Sequence, residues 1–197
     1  MATRTLKESV FHDHREIELF YDQYKKAVDA ANKEKWSNQF TWEVARHSVS
    51  EEIVVYPLFE KKLGEEGKNM ADKDRADHRE IKTLLARAES LSVGTPEHAD
   101  ILTKVMGVLA EHMKGEEQHD LPLLESKLQT EESYNAEREF QRTKALVPTR
   151  PHPLAPDKPP YETLAGFLAL PMDKIKDLFS KFPKEEEVKG AKAKAGI

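Results

Sequence analysis

The chain has no cysteine, which excludes disulfides, iron–sulfur clusters, thiolate zinc sites and cysteine nucleophiles together. Any metal must therefore be held by His, Asp and Glu. The longest apolar run, Leu164–Leu170, is far shorter than the roughly 20 residues that cross a bilayer. The start lacks the apolar stretch of a secretory leader, so the expectation is a cytoplasmic protein with no membrane span. Positive charge is not in surplus either. A formal net charge of −5 argues against nucleic acid as the main partner, since phosphate binding needs a basic face. Glycine is scarce, with eight in 197 residues, and before Val147 proline occurs only at Pro57, Pro96 and Pro122.

Long stretches without those breakers, rich in Lys, Glu, Leu and Ala, favour helix. Eight Phe, five Tyr and two Trp, with aliphatic residues at helical spacing, supply a core. The pattern predicts helices over residues 6–31, 37–63, 71–91 and 96–128, the last capped by Thr95 with Pro96 at its first position. The breaks at 32–36, 64–69 and 92–94 are short. Short breaks imply antiparallel neighbours, hence an all-α, up-down-up-down four-helix bundle over 1–130. An additional helix follows at 131–147, with Thr130 as its expected cap. Residues 148–160 hold six prolines in thirteen and predict an extended arm. Met172, Ile175, Leu178, Phe179 and Phe182 then form one stripe of a short amphipathic helix within 148–183. We expect Phe179 and Phe182 to dock on the bundle, because such a stripe is costly to expose. The Lys/Glu/Ala/Gly-rich tail, 184–197, reads as disordered.

An internal repeat dominates the sequence. Asp13-His14-Arg15-Glu16-Ile17 recurs unchanged as Asp77-His78-Arg79-Glu80-Ile81, 64 residues on. At an offset of 65, His47, Glu51, Glu52, Pro57 and Leu58 recur as His112, Glu116, Glu117, Pro122 and Leu123. The bundle is therefore two copies of one helical hairpin, with a pseudo-two-fold axis between them.

The repeat carries the chemistry. His47, Glu51, Val54 and Leu58 make one inward stripe, repeated as His112, Glu116, His119 and Leu123. His14 shares a face with Val10, Ile17 and Tyr21, and His78 with Ile81 and Leu85. A His-x3-Glu pair points two ligands the same way, one turn apart. One buried His/Glu pair is ordinarily a hydrogen-bonded core pair. Four histidines and two glutamates at one level are costly to bury without something to satisfy them. His14, His47, Glu51, His78, His112 and Glu116 are thus the expected metal ligands. Imidazole with carboxylate suits Fe, Mn or Zn. Six ligands suit two ions sharing the carboxylates, and two octahedral ions bridged by both glutamates and an oxygen keep roughly two open positions. The ferritin-like alternative needs Glu-x-x-His twice. Glu116 to His119 matches it once, but the other hairpin has Val54. His119 stays open as an extra ligand or an ordinary histidine, and Glu52 and Glu117 as solvated residues or partners of the ligands.

The order His14, His47-x3-Glu51, His78, His112-x3-Glu116 resembles the hemerythrin-like HHE cation-binding family, over roughly residues 6–130. The proline-rich segment 148–160 is similar to a tail of fungal members. The resemblance implies two iron ions (Fe2+/Fe3+), oxo- or hydroxo-bridged, that bind or react with oxygen, nitric oxide or peroxide. Oxygen carriers of that family have a further histidine four residues before the third-helix ligand, where this chain has Asp74. They also bridge with an aspartate five residues after the fourth-helix histidine, where Glu116 follows His112 by four. Three readings follow: a di-iron protein that captures or senses a diatomic ligand or peroxide, a di-iron oxidase or oxygenase acting on a small molecule, and a structural or interaction protein without redox activity. No protein partner is legible in the sequence.

Overall fold

The computed structural model describes residues 4–158 and 161–197, the side chains of 161–168 excepted. The fold is all-α. Helix α1 (Leu6–Lys26) starts where the Thr5 hydroxyl accepts from the Glu8 N–H and the Glu8 carboxylate accepts from the Thr5 N–H, a reciprocal cap that fixes its first turn. Helix α2 (Ala30–Ser50) begins at Asp29, whose carboxylate accepts from the Asn32 N–H. The first break is therefore 27–29 and not the expected 32–36, because the Asp29 cap sets the boundary and Trp36 is buried in α2.

A π-helical turn (Glu51–Val55) joins α2 to α3 (Tyr56–Leu63). The chain reverses at Gly64, with φ of 62°, a backbone region glycine enters without strain. Helix α4 (Glu65–Glu89) follows at once, so the expected loop over 64–69 shrinks to one residue. It passes so close to α3 that a Cβ on Gly67 would stand 2.0 Å from the Phe59 carbonyl oxygen. Helix α5 (Pro96–Gly115) runs through a second π turn (Glu116–Asp120) into α6 (Leu121–Glu125).

In the second and fourth rods the sequence predicts a kink or loosening of the helix end at the prolines, and the structure places a π turn before each. The cause of these turns is Pro57 and Pro122, each six residues after a glutamate. Proline lacks an N–H and its ring strikes the carbonyl four residues back. Widening the preceding turn relieves this, with the Tyr56 N–H bonding the Glu51 carbonyl and the Leu121 N–H that of Glu116. Such turns mark functional positions in many helices, and here each opens on a repeated glutamate.

The core is two apolar clusters. One holds Ile17, Phe20, Tyr24, Trp36, Phe40, Leu85, Leu102 and Leu109; the other holds Leu6, Val10, Val55, Tyr56, Phe59, Leu121, Leu124 and Phe140. Each large side chain contributes about 1.5–3 kcal/mol on burial. On every rod the repeated histidine lies between residues of the two clusters, so the polar belt is enclosed by apolar layers.

Helix α7 (Thr130–Lys144) buries Ala136 and Phe140 in the second cluster. Its start is set at Gln129, whose N–H donates to Glu132, rather than at Thr130. Residues 148–158 are non-helical, as expected of the arm, while 159–160 lie outside the described residues. Helix α8 (Tyr161–Phe179) follows. Phe182 is half-buried beside Trp42, but Phe179 is 86% exposed, with Met172, Ile175 and Leu178 also exposed. The docking expectation is thus corrected for most of the stripe. The helix is held by its polar side instead. Buried Asp173 accepts from the Thr149 and Arg150 N–H groups and pairs with His152, and Asp177 accepts from Arg150.

The tail expected to be disordered is helix α9 (Glu185–Ala195). Composition hid this, because only Val188, Ala191 and Ile197 pack on the first cluster, while Lys192 pairs with Glu16. A thin apolar edge suffices where a finished surface already waits for it.

Candidate metal centre

Helices α1, α2, α4 and α5 bring His14, His47, His78 and His112 to one level, all buried with Glu51 and Glu116. Among the described residues, His14, His47, Glu51 and Glu116 form one group able to hold an ion, and Glu51, His78 and His112 form another. The rings of His14 and His47 are 5.0 Å apart, and those of His78 and His112 are 4.7 Å apart.

The carboxylates sit between the groups. Glu51 Oε2 lies 3.2 Å from His47 Nε2 and 3.5 Å from His78 Nε2. Glu116 Oε2 lies 3.5 Å from His112 Nε2 and 3.3 Å from His14 Nε2. Each glutamate therefore touches one histidine of its own hairpin and one of the other, and all four contacts use Nε2.

Electrostatics shows what this arrangement lacks. His14 Nε2, His47 Nε2, both oxygens of Glu51 and Glu116 Oε2 are buried without hydrogen-bond partners, a costly state for so many polar atoms. Burial first, and then the charge on Glu116, pushes the Glu51 carboxyl far above its usual range. Burial pushes Glu116 the same way, but the His112 charge and the His14 imidazole close beside it outweigh that and hold Glu116 at about 2. Burial opposes a charge on His112, yet Glu116 and Asp77 raise it to about 9, while burial takes His78 down to about 4. The inward atoms of two carboxylates and four imidazoles are thus crowded together with too few hydrogen bonds among them. Cations bound at Nε2 and the glutamate oxygens would satisfy all of them, so the donor set fits imidazole- and carboxylate-seeking metals.

The Nδ1 atoms face outward to carboxylates. His14 meets Glu117 at 2.8 Å, His78 meets Glu52 at 2.9 Å and His47 meets Asp13 at 3.3 Å. His112 is held most loosely, with Asp77 at 3.5 Å and Asp74 at 3.6 Å. Such partners fix the tautomer and orientation of ligating histidines. Glu52 and Glu117, left open by sequence, are partners of histidines. Burial and the nearby Glu116 raise Asp74 to about 7.

His119 is 62% exposed and paired with Asp120, apart from the two groups. Its counterpart Val54 is buried in the cluster that α7 joins. Sequence reasoning missed Tyr56, fully buried, whose hydroxyl is 3.2 Å from His78 Nε2 and 3.5 Å from Glu116 Oε1. A signal existed: Tyr56 is the repeat counterpart of Leu121, one of the places where the two copies part.

The hemerythrin HHE cation-binding domain model matches residues 5–124. An uncharacterised hemerythrin-like protein of Schizosaccharomyces pombe is 48% identical over 178 residues, covering 90% of this chain and 88% of the relative. A protein of Nostoc named as a DNA nickase is 20% identical over 146 residues, or 74% of this chain and 40% of that protein. No solved structure matches the chain.

Proposed function

The chain belongs to the hemerythrin HHE cation-binding family, and we propose that its buried belt holds two iron ions that bind or react with oxygen, nitric oxide or peroxide. In this reading His14 and His47 would hold one ion, His78 and His112 the other, with Glu51 and Glu116 shared between them. The observation that carries it is the contact of each glutamate with a histidine of both groups, together with the orphaned atoms that face inward. Bound iron would supply redox change and exchangeable positions for a small ligand. The carboxylates on Nδ1 orient the four imidazoles, and the apolar clusters above and below exclude bulk water.

Asp74 stands where oxygen carriers have a histidine, so capture or reaction fits this centre better than reversible carriage. One observation favours an oxidase-type enzyme as a second reading: the Tyr56 hydroxyl, an oxidisable group against His78 and Glu116.

Elemental analysis of protein purified without chelator is the test. About two irons per chain are expected, the number that uses two bridging carboxylates. Stoichiometric zinc, or no metal, would sink the proposal. Nitric oxide added to the reduced protein should change its spectrum at once, and the reduced protein should oxidise in air, more slowly in Asp74→His.

A further inference from the structure

Behind each carboxylate that holds a histidine stands a cation, and the four cations are not alike. Arg15 pairs with Glu117, and Lys73 with Asp77, near the surface. Lys82 reaches Glu52 and Lys144 reaches Asp13 in the interior. Lys82 belongs to the bundle. Lys144 belongs to α7, beyond the segment that matches the family.

Lys144 Nζ is 2.5 Å from Asp13 Oδ2 and 2.5 Å from Glu43 Oε1, and all three residues are buried. The Asp13 oxygen that takes the lysine is the same one that faces His47 Nδ1. Arg46 clamps the end of α7 by donating to the Lys144 carbonyl at 2.8 Å. Three buried charges are an expensive way to attach a helix that already buries Phe140 and Ala136. A well-packed apolar side chain would serve as well or better. What an apolar side chain cannot do is donate to the Asp13 oxygen that faces His47 and so fix its direction.

We propose that Lys144 is a positioning residue for His47, so that α7 completes the ion site of the first hairpin from outside the bundle. Lys82 does the same for His78 through Glu52. The inference rests on the two-ion reading of the centre.

Lys144→Met, Lys144→Arg and Lys82→Met in the full chain test it. Each protein is titrated anaerobically with ferrous ion and separately with cobalt(II), whose visible spectrum reports nitrogen ligation. Lys144→Met should weaken one of the two ions about 10–100-fold and leave the other unchanged. Lys82→Met should weaken the other ion, and Lys144→Arg should recover much of the loss. In a His14→Ala background, which already lacks the first ion, Lys144→Met should not alter the ion that remains. If Lys144→Met fails to fold, Asp13→Asn, which keeps the volume and loses the charge, must give the same selective weakening. Two ions of unchanged affinity beside a lowered melting temperature would make Lys144 an anchor only and overturn the inference. Equal weakening of both ions would overturn it too. A wild-type stoichiometry below two sinks the two-ion reading itself, a distinct outcome.

Discussion

The two hairpins carry the same pentapeptide and the same His-x3-Glu pair, yet their histidines lie in opposite environments. His14 is raised, burial being outweighed by the nearby Glu116 and the bond to Glu117, while its counterpart His78 is lowered by burial to about 4. His47 is lowered by burial, while its counterpart His112 is raised to about 9, with Glu116 the largest of the raising effects. The repeat delivers equivalent side chains to equivalent places. What packs outside His47 and His112 differs: α7 with Lys144 behind the first, and exposed Lys73 with buried Asp74 behind the second. A duplicated motif thus gives two half-sites of one composition and unequal electrostatics.

The equivalence fails most strongly at a residue that belongs to both halves. Glu51→Ala should lose more than one metal equivalent, and His14→Ala about one, since only the glutamate faces both groups. Equal single losses on elemental analysis would mean separate mononuclear sites.

The inequality of the supports should appear as stability. Lys144→Ala takes the ammonium from buried Asp13 and Glu43, leaving Asp13 its His47 contact and Glu43 its longer contact with Arg46, a loss of about 3–5 kcal/mol. Lys73→Ala removes an exposed partner and should cost less than about 1 kcal/mol. Urea unfolding of the metal-free proteins would compare them, and equal losses would erase the distinction.

Protons give a finer comparison. At pH 7 metal-free His112, at about 9, starts protonated, while His78, at about 4, starts neutral. Metal binding must displace the His112 proton. Uptake should therefore release protons, and affinity should rise with pH until about 9 and level off above it. Calorimetry in two buffers of different ionisation enthalpy would count the release, and His112→Gln should lower it by about one. A release unchanged by that substitution would contradict the asymmetry.

The smallest effect concerns α8, which unlike α7 is attached by polar contacts. Phe179→Ser should change stability by no more than about 0.5 kcal/mol. Asp173→Ala, which strands the Thr149 and Arg150 N–H groups, should cost about 1–3 kcal/mol. Thermal melts would show the order, and a larger loss for Phe179 would restore the docking that the sequence predicted.

By itself the sequence determined the helical bundle, the duplication and the convergence of six side chains. Those depend on local regularities: period 3.6, the four-residue spacing of His47 with Glu51, and a repeat that places Asp13-His14 and Asp77-His78 on matching faces. The tertiary structure decided what lies at long range. Pro57 and Pro122 were legible, but the π turns that they impose depend on the rods continuing beneath packed neighbours. Tyr56, Lys82 and Lys144 look like ordinary helix residues until another rod is placed against them. Helix α9 shows the same in reverse, a chain too polar to fold by its own composition and ordered by the surface it meets. Ligand spacing is written in the helix repeat, whereas desolvation and ion pairing are properties of whatever element comes to cover a side chain, and no local pattern names that element.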